Sequence, residues 1–334
     1  MTAASIYERL GVEPLINAKG PATRVSGGLM DPEVAEAMRE ATQACVDMVA
    51  LQARASEIIA GITGAEAGYV TSGASAGLLL GTAACMTGTD PGRINRLPDT
   101  DGLRDEVIVV RSQRNFYDHA VRATGARLVE VGIADRYSGP GVRDAEPWEI
   151  ADAISERTAC VLYVAQPQSR PSLSAVCEVA HQAGVPVLVD AAAQLPPVSN
   201  LRQFIDQGAD LVTFSGGKAI NGPQASGVLC GKRDLIAAAA LNNLDHDIFF
   251  EQWMPPAGFI DKRRLRGLPQ HGIGRSSKVG KEQIVGLLVA LQRFDQAEVQ
   301  SRFERATRLL DELERALADG LPVQISRFEA LPGG

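Results

Sequence analysis

The sequence predicts an α/β protein: a mostly parallel sheet with helices on both faces, followed by a small, shortened C-terminal α/β domain. Three observations carry this. Short β-branched runs alternate with helical patterns from about residue 67 to residue 230. The run through Val187–Val189 is apolar on consecutive residues, as a strand covered on both faces must be. Glycine accounts for 33 of 334 residues while aromatics make up only 5%, against an average of about 7% glycine, which points to tight strand-to-helix turns and close backbone approach to a ligand.

Residues 1–30 read as an N-terminal arm, 31–255 as a large domain, and 256–334 as a connection, a long helix and a short C-terminal domain. Asp31-Pro32-Glu33 combines an N-cap, a first-turn proline and a first-turn acid, and so starts a helix. A second helix covers about Ala50–Ile62. Strand Ala67–Thr71 then enters the turn Ser72–Gly77 (SGASAG) and a helix rich in Leu and Ala. Strands are expected at Glu106–Val110, Arg127–Val131, Cys160–Val164, Val185–Asp190, Asp210–Phe214 and Ser226–Cys230. Helices are expected around Ala120 and Gln203, and at Pro147–Arg157 and Ser172–Ala183. Gly88–Leu103, rich in Pro, Gly and Asp, reads as a surface loop, and Leu244–Gly274, with its many prolines and glycines, reads as an irregular connection that shapes a site. One long helix, Glu282–Ala318, and a short strand, Val323–Ser326, complete the expected elements.

The charge balance of 33 basic and 40 acidic residues gives −7, and with a pI near 5.3 this is the wrong sign for a general nucleic-acid or anionic-membrane binder. Lys262, Arg263, Arg264 and Arg266 form the one dense basic segment and read as a solvated loop or subunit contact. Five cysteines, widely spaced and with no CxxC, indicate neither a disulfide framework nor a zinc site. With no signal peptide or long apolar span visible, a cytoplasmic protein is expected. Asp245-His246-Asp247 reads as loop polarity rather than a metal site.

The turn at Ser72 joins a strand to a helix N-terminus, where free N–H groups and the positive helix end attract an anion. It also fits the GxSxG spacing of a nucleophile elbow, making Ser75 a candidate hydrolase nucleophile with His246 or His271 as base, although no HGGG-like oxyanion segment precedes it. Dinucleotide and phosphate-loop fingerprints are absent. Asp190 ends one predicted strand, and Ser215-Gly216-Gly217-Lys218 follows another, so both charges belong at carboxyl ends of parallel strands, where open α/β sheets bind ligands. A lysine for an imine, a carboxylate for a pyridine nitrogen and a helix N-terminus for a phosphate are the three needs of pyridoxal 5'-phosphate.

Strand–SGASAG, strand–VDAAAQ and strand–TFSGGK followed by NGPQASGVLCGK resemble a fold-type I pyridoxal-phosphate enzyme. INAKGPATRVSGG, FSGGKAINGPQASG and GRSSKVGKEQIVGLL are most similar to the group containing seryl-tRNA selenium transferase and D-glucosaminate-6-phosphate ammonia-lyase. The resemblance implies that Lys218 is the Schiff-base lysine and Asp190 the partner of the pyridine nitrogen. It places Gly73, Ala74, Ser75 and Ser215 at the phosphate, and Lys278 there from a neighbouring subunit of a homodimer or larger homo-oligomer. Arg275 is the candidate for a substrate carboxylate or phosphate, Gln194 for the cofactor hydroxyl, and Asn115, within Arg114–Tyr117, for a place near the ring. His119 reads as a helix N-terminal residue. The implied activity is a lyase reaction on an amino acid or amino sugar acid, α,β-elimination releasing ammonia and a 2-oxo acid. Racemase, aminotransferase and selenium-transferase-like chemistry are the alternatives, with a Ser75 hydrolase or an inactive scaffold behind them. The acidic charge disfavours tRNA as a partner.

Overall fold

The computed structural model describes residues 5–133, 143–318 and 326. Its centre is a seven-stranded sheet of β1 (Ala67–Thr71), β2 (Glu106–Val110), β3 (Arg127–Val131), β4 (Thr158–Val164), β5 (Val187–Asp190), β6 (Leu211–Ser215) and β7 (Gly227–Gly231), in the order β1-β7-β6-β5-β4-β2-β3. The pairs β2–β3, β2–β4, β4–β5 and β5–β6 are parallel. β7 runs antiparallel to both β1 and β6. Carboxyl ends of the five parallel strands and of β1 therefore share one edge, and the start of β7 joins them there.

Alternate residues feed two cores, as the pleat requires. Val187, Val189, Val212 and Phe214 face the layer formed by α2 (Pro32–Ala41), α3 (Met48–Thr63), α7 (Pro147–Ala153), α8 (Leu173–Gln182), α9 (Asn200–Asp206) and α11 (Lys281–Arg293). Leu188, Leu211 and Leu229 face α4 (Ala74–Thr87), α5 (Pro91–Arg96), α6 (Asp118–Arg122) and α10 (Arg233–Leu241). By the same alternation Thr71, Asp190, Thr213 and Ser215 lie on the α4 face. Gly77 and Gly81 bring α4 onto that face, since a Cβ at Gly77 would stand 2.2 Å from Thr213 Oγ1 and one at Gly81 2.9 Å from Leu188 Cδ1. A short helix, α1 (Ile6–Arg9), opens the arm, and its Thr23–Ser26 turn reaches the loop after β6 through Gln224 Nε2, which donates to Thr23 Oγ1 at 3.0 Å.

Two sequence expectations need correction. The expected surface loop Gly88–Leu103 contains α5, started by the Asp90 side chain, which accepts from Gly92 N and Arg93 N, and anchored by buried Ile94 and Leu97. The expected single helix Glu282–Ala318 is two, α11 and α12 (Gln296–Ala318). Phe294 leaves helical geometry at φ −78°, ψ 80° and inserts into the core at 4% exposure, and Asp295 then caps the new helix by accepting from Glu298 N. Apolar spacing alone runs through this break, which is why it reads as continuous. The expected strand at Val323 falls outside the described residues save for its last position. Among the described residues no helix is long and apolar enough to cross a membrane.

Candidate active site

Three chain segments meet at the shared edge. The first is the turn between β1 and α4. Gly73 sits at φ +114°, a conformation that favours glycine, and no side chain caps the helix behind it. The first-turn N–H groups of α4, a helix of 14 residues, are therefore free of a side-chain partner and carry the positive end of the helix dipole. Ala74 is buried and Ser75 exposed. Second, β7 starts at Gly227, which pairs across to Thr71 on one side and Ser215 on the other. A Cβ there would stand 2.6 Å from Gly73 C and 2.8 Å from Ala74 N, so only glycine lets the turn lie over the strand.

Third, Asp190 ends β5 at 7% exposure, and its Oδ1 accepts the Ala192 N–H at 3.0 Å. Burial pushes its carboxyl above the usual carboxylate range, opposed by that hydrogen bond and by the positive charge of Lys218. Lys218 lies in the turn after β6, partly buried, and among the described residues its ammonium has no hydrogen bond or ion pair. Gly216 and Gly217 let this turn close down, because Cβ atoms would stand 2.3 Å from Ser226 Oγ and 2.6 Å from Gln224 Cα respectively. The arrangement thus places a desolvated carboxylate, an unpaired amine and an uncapped helix N-terminus on one face of the sheet.

A fourth segment is tied to the first. The 3₁₀ turn Ile273–Ser277 accepts from Ser72 Oγ at the Ser277 carbonyl, 2.9 Å. Arg275 projects from this turn and donates from Nη2 to Asp245 Oδ2 at 2.5 Å, and Lys278 follows it, exposed. These residues fit the parts of pyridoxal 5'-phosphate: an uncapped anion-binding turn for its phosphate, an underpaired buried carboxylate for its ring nitrogen, and a free amine for its aldehyde.

The structure brings Gly73, Ala74, Ser75, Asp190, Ser215 and Lys218 together and ties the Arg275–Lys278 segment to them. Among the described residues no hydrogen bond joins Asn115 or Gln194 to Lys218. Asn115 follows β2, two strands from β5, and its side chain accepts from Tyr117 N. Gln194 lines a cavity of about 370 Å³ with Tyr163 and Phe204, residues of the α8/α9 side of the sheet. Ser75 gains no triad: His181 bonds Asp210 at the start of β6, the opposite edge, His246 is buried edge-on to Trp253, His271 pairs with Asp247, and His119 lies exposed on α6. Asp245 and Asp247 are turned to Arg275 and His271, away from any shared point with His246. Sequence reasoning missed Asn243, whose side chain bonds the Arg275 turn. Its only sequence signal is an Asn pair closing an Ala-rich helix.

Comparison with known proteins bears on the family and the fold. The profile of the SelA family, L-seryl-tRNA selenium transferase, matches residues 50–334. D-glucosaminate-6-phosphate ammonia lyase of Salmonella typhimurium is 33% identical over 302 residues, 88% of this chain and 71% of that protein. 5'-C-glycyluridine monooxygenase-decarboxylase of a Streptomyces species is 31% identical over 323 residues, 92% of this chain and 71% of its own. A solved D-glucosaminate-6-phosphate ammonia-lyase structure superposes with TM-score 0.72 at 33% identity, over 87% of this chain and 70% of that one. The expected fold and group are both borne out, and the relatives are lyase and transferase enzymes: the chain belongs to the SelA, L-seryl-tRNA selenium transferase, family.

Proposed function

We propose that the chain is a pyridoxal 5'-phosphate enzyme that acts as a lyase on an amino acid or amino sugar acid, releasing ammonia and a 2-oxo acid. The observation that carries the cofactor reading is the juxtaposition of buried Asp190, unpaired Lys218 and the uncapped turn Ser72–Ser75 on one edge of the sheet. The relation to an ammonia lyase supports the reaction class.

Bound there, pyridoxal phosphate supplies an electron sink that lets a bond at the α-carbon of an amine substrate break. Asp190 holds a proton on the ring nitrogen through its buried carboxylate. The backbone N–H groups of Gly73–Ser75, with the hydroxyls of Ser75 and Ser215, hold the phosphate dianion. Lys218 anchors the aldehyde and, once free, takes and returns a proton at Nζ. Arg275 grips an anionic group of the substrate with the guanidinium edge that Asp245 leaves free. Lys278 reaches the phosphate of a partner protomer in a homodimer, a reading supported by the exposed apolar surface at Ile16, Leu29 and Phe116. Five unpaired thiols, three of them buried, fit a cytoplasmic location.

The test is direct. Purified protein supplied with pyridoxal phosphate should develop a visible absorption band that Lys218→Ala abolishes, and should release ammonia from D-glucosaminate-6-phosphate or from another member of a panel of D- and L-hydroxy amino acids and amino sugar acids. Carbon dioxide release is measured in the same assay, because one relative is a decarboxylase. A colourless protein that takes up no cofactor refutes the proposal. A coloured one that turns over no panel member refutes the lyase assignment alone.

A further inference from the structure

The turn that carries Arg275 is held by a buried chain of hydrogen bonds that begins on β1. Asn243, at 4% exposure just past the end of α10, donates from Nδ2 to the carbonyls of Gly274 at 2.6 Å and Ser277 at 3.3 Å. Its Oδ1 accepts from the hydroxyl of Tyr69, 1% exposed on β1, at 2.8 Å. Burial pushes the Tyr69 phenol above its usual range, so the hydroxyl stays protonated and remains a donor. The amide has one workable orientation: flipped, its oxygen would face two carbonyl oxygens. The same Ser277 carbonyl accepts from Ser72 Oγ at 2.9 Å, in the phosphate turn. Backbone contact locks the far side, with Gly274 N donating to Asn242 O at 2.9 Å and no room for a Cβ at Gly272 or Gly274. Asn243 therefore ties the segment bearing Arg275 to the segment bearing the anion-binding N–H groups, through one shared acceptor.

We infer that Asn243, oriented by Tyr69, is a positioning residue: it holds the Arg275 turn in register with the phosphate turn, so that substrate anion and cofactor phosphate are gripped at a set separation. This rests on the proposed function, in which Arg275 takes the substrate anion and the Ser72 turn takes the phosphate. The amide touches neither and acts through both turns. A guanidinium grip depends on direction, so a turn free to rotate loses affinity before it loses chemistry.

The experiment uses the full chain with pyridoxal phosphate and D-glucosaminate-6-phosphate, or the panel substrate on which wild type proves active. Asn243→Ala should raise KM about tenfold while kcat stays within about threefold, the pattern of lost substrate binding. Arg275→Ala should raise KM by at least as much, and Asn243→Ala added to it should raise KM less than about twofold further, because the amide acts through that arginine. Independently of turnover, titrating apo-protein with pyridoxal phosphate by absorbance should show a dissociation constant about threefold or more higher for Asn243→Ala and for Ser72→Ala, and unchanged for Arg275→Ala. Tyr69→Phe, which keeps the ring in the core, should reproduce the direction of each Asn243 effect if Asn243→Ala fails to fold. A variant with a lower Tm but unchanged KM and cofactor affinity overturns the inference, as do KM effects that multiply in the double variant. A wild type that takes up no pyridoxal phosphate overturns the proposed function and this inference together. A normal wild type beside indifferent Asn243 and Tyr69 variants overturns this inference alone.

Discussion

Asp190 is in conflict with its surroundings until something positive meets it. It is 7% exposed, accepts one hydrogen bond from Ala192 N–H at 3.0 Å, and feels the charge of Lys218, yet burial outweighs both and its carboxyl is pushed up. A carboxyl whose folded pKa is raised contributes stability that is full below its unfolded value, about 3.9, and is lost as pH rises through the folded value. At neutral pH the cofactor-free protein has therefore lost that contribution. Asp190→Asn keeps the shape and the bond from Ala192 and removes the charge. Two favourable contacts already offset part of the burial penalty, so the expected result is a modest rise in Tm for the apo-protein at neutral pH. With cofactor the sign reverses. Losing one member of a buried ion pair costs about 3–5 kcal/mol, so pyridoxal phosphate should bind the Asp190→Asn variant at least about 100-fold more weakly than wild type. Thermal melts with and without cofactor, at neutral pH and near pH 4, read both effects, and the apo advantage of the variant should shrink at the lower pH. An apo Asp190→Asn protein that melts below wild type at neutral pH, or one with wild-type cofactor affinity, refutes the assignment of Asp190 as the ring-nitrogen partner.

Gly227→Ala places a methyl 2.6 Å from Gly73 C, a backbone atom that cannot step aside, so chemical denaturation should show a loss of about 1–3 kcal/mol together with weakened cofactor uptake. Gly258→Ala, with nothing within 4 Å, should stay within about 0.5 kcal/mol of wild type; an equal loss at both sites would remove the steric argument for the phosphate turn. Ser75 sits exposed without a histidine partner among the described residues, so a serine-directed phosphonate should leave the intact mass unchanged, and Ser75→Ala should keep turnover within about tenfold, as expected for one lost phosphate hydrogen bond; covalent labelling would revive the hydrolase reading.

What could be read from the sequence follows from how local the deciding physics is. Most of the seven strands are short apolar runs bounded by turn residues, and each lies close to its expected place, the largest offsets being β4, which starts early at Thr158, and β5, which starts late at Val187. The positions of Lys218 and Asp190 were legible for the same reason: Asp190 ends β5 and Lys218 stands in the turn directly after β6, at the sheet edge where the fold class alone says ligands bind. The helix break at Phe294 was not, because the apolar spacing on either side stays compatible with one helix. What ends α11 is burial of the Phe294 ring in a core assembled from distant segments. The surroundings of Gln194 were not legible for a related reason: four residues past Asp190 it lines a cavity with Tyr163 and Phe204.

Asn243 lies furthest from sequence reading, since its meaning depends on a tyrosine 174 residues earlier and a carbonyl 31 residues later. Neither partner carries a motif, and one is a backbone atom that any residue would supply. Charged groups of a site can be guessed because their chemistry is scarce and their positions follow strand ends. The groups that set distances between them are common polar residues, satisfied internally, and indistinguishable in a string from ordinary core asparagines. Here the two turns proposed to grip anions lie 205 residues apart in the chain and meet at the Ser277 carbonyl. With the proposed roles, a buried amide and a hydroxyl set the separation of those anions, and specificity for substrate length should change at Asn243 and Tyr69 sooner than at Lys218 or Asp190, which are proposed to act at the reacting end.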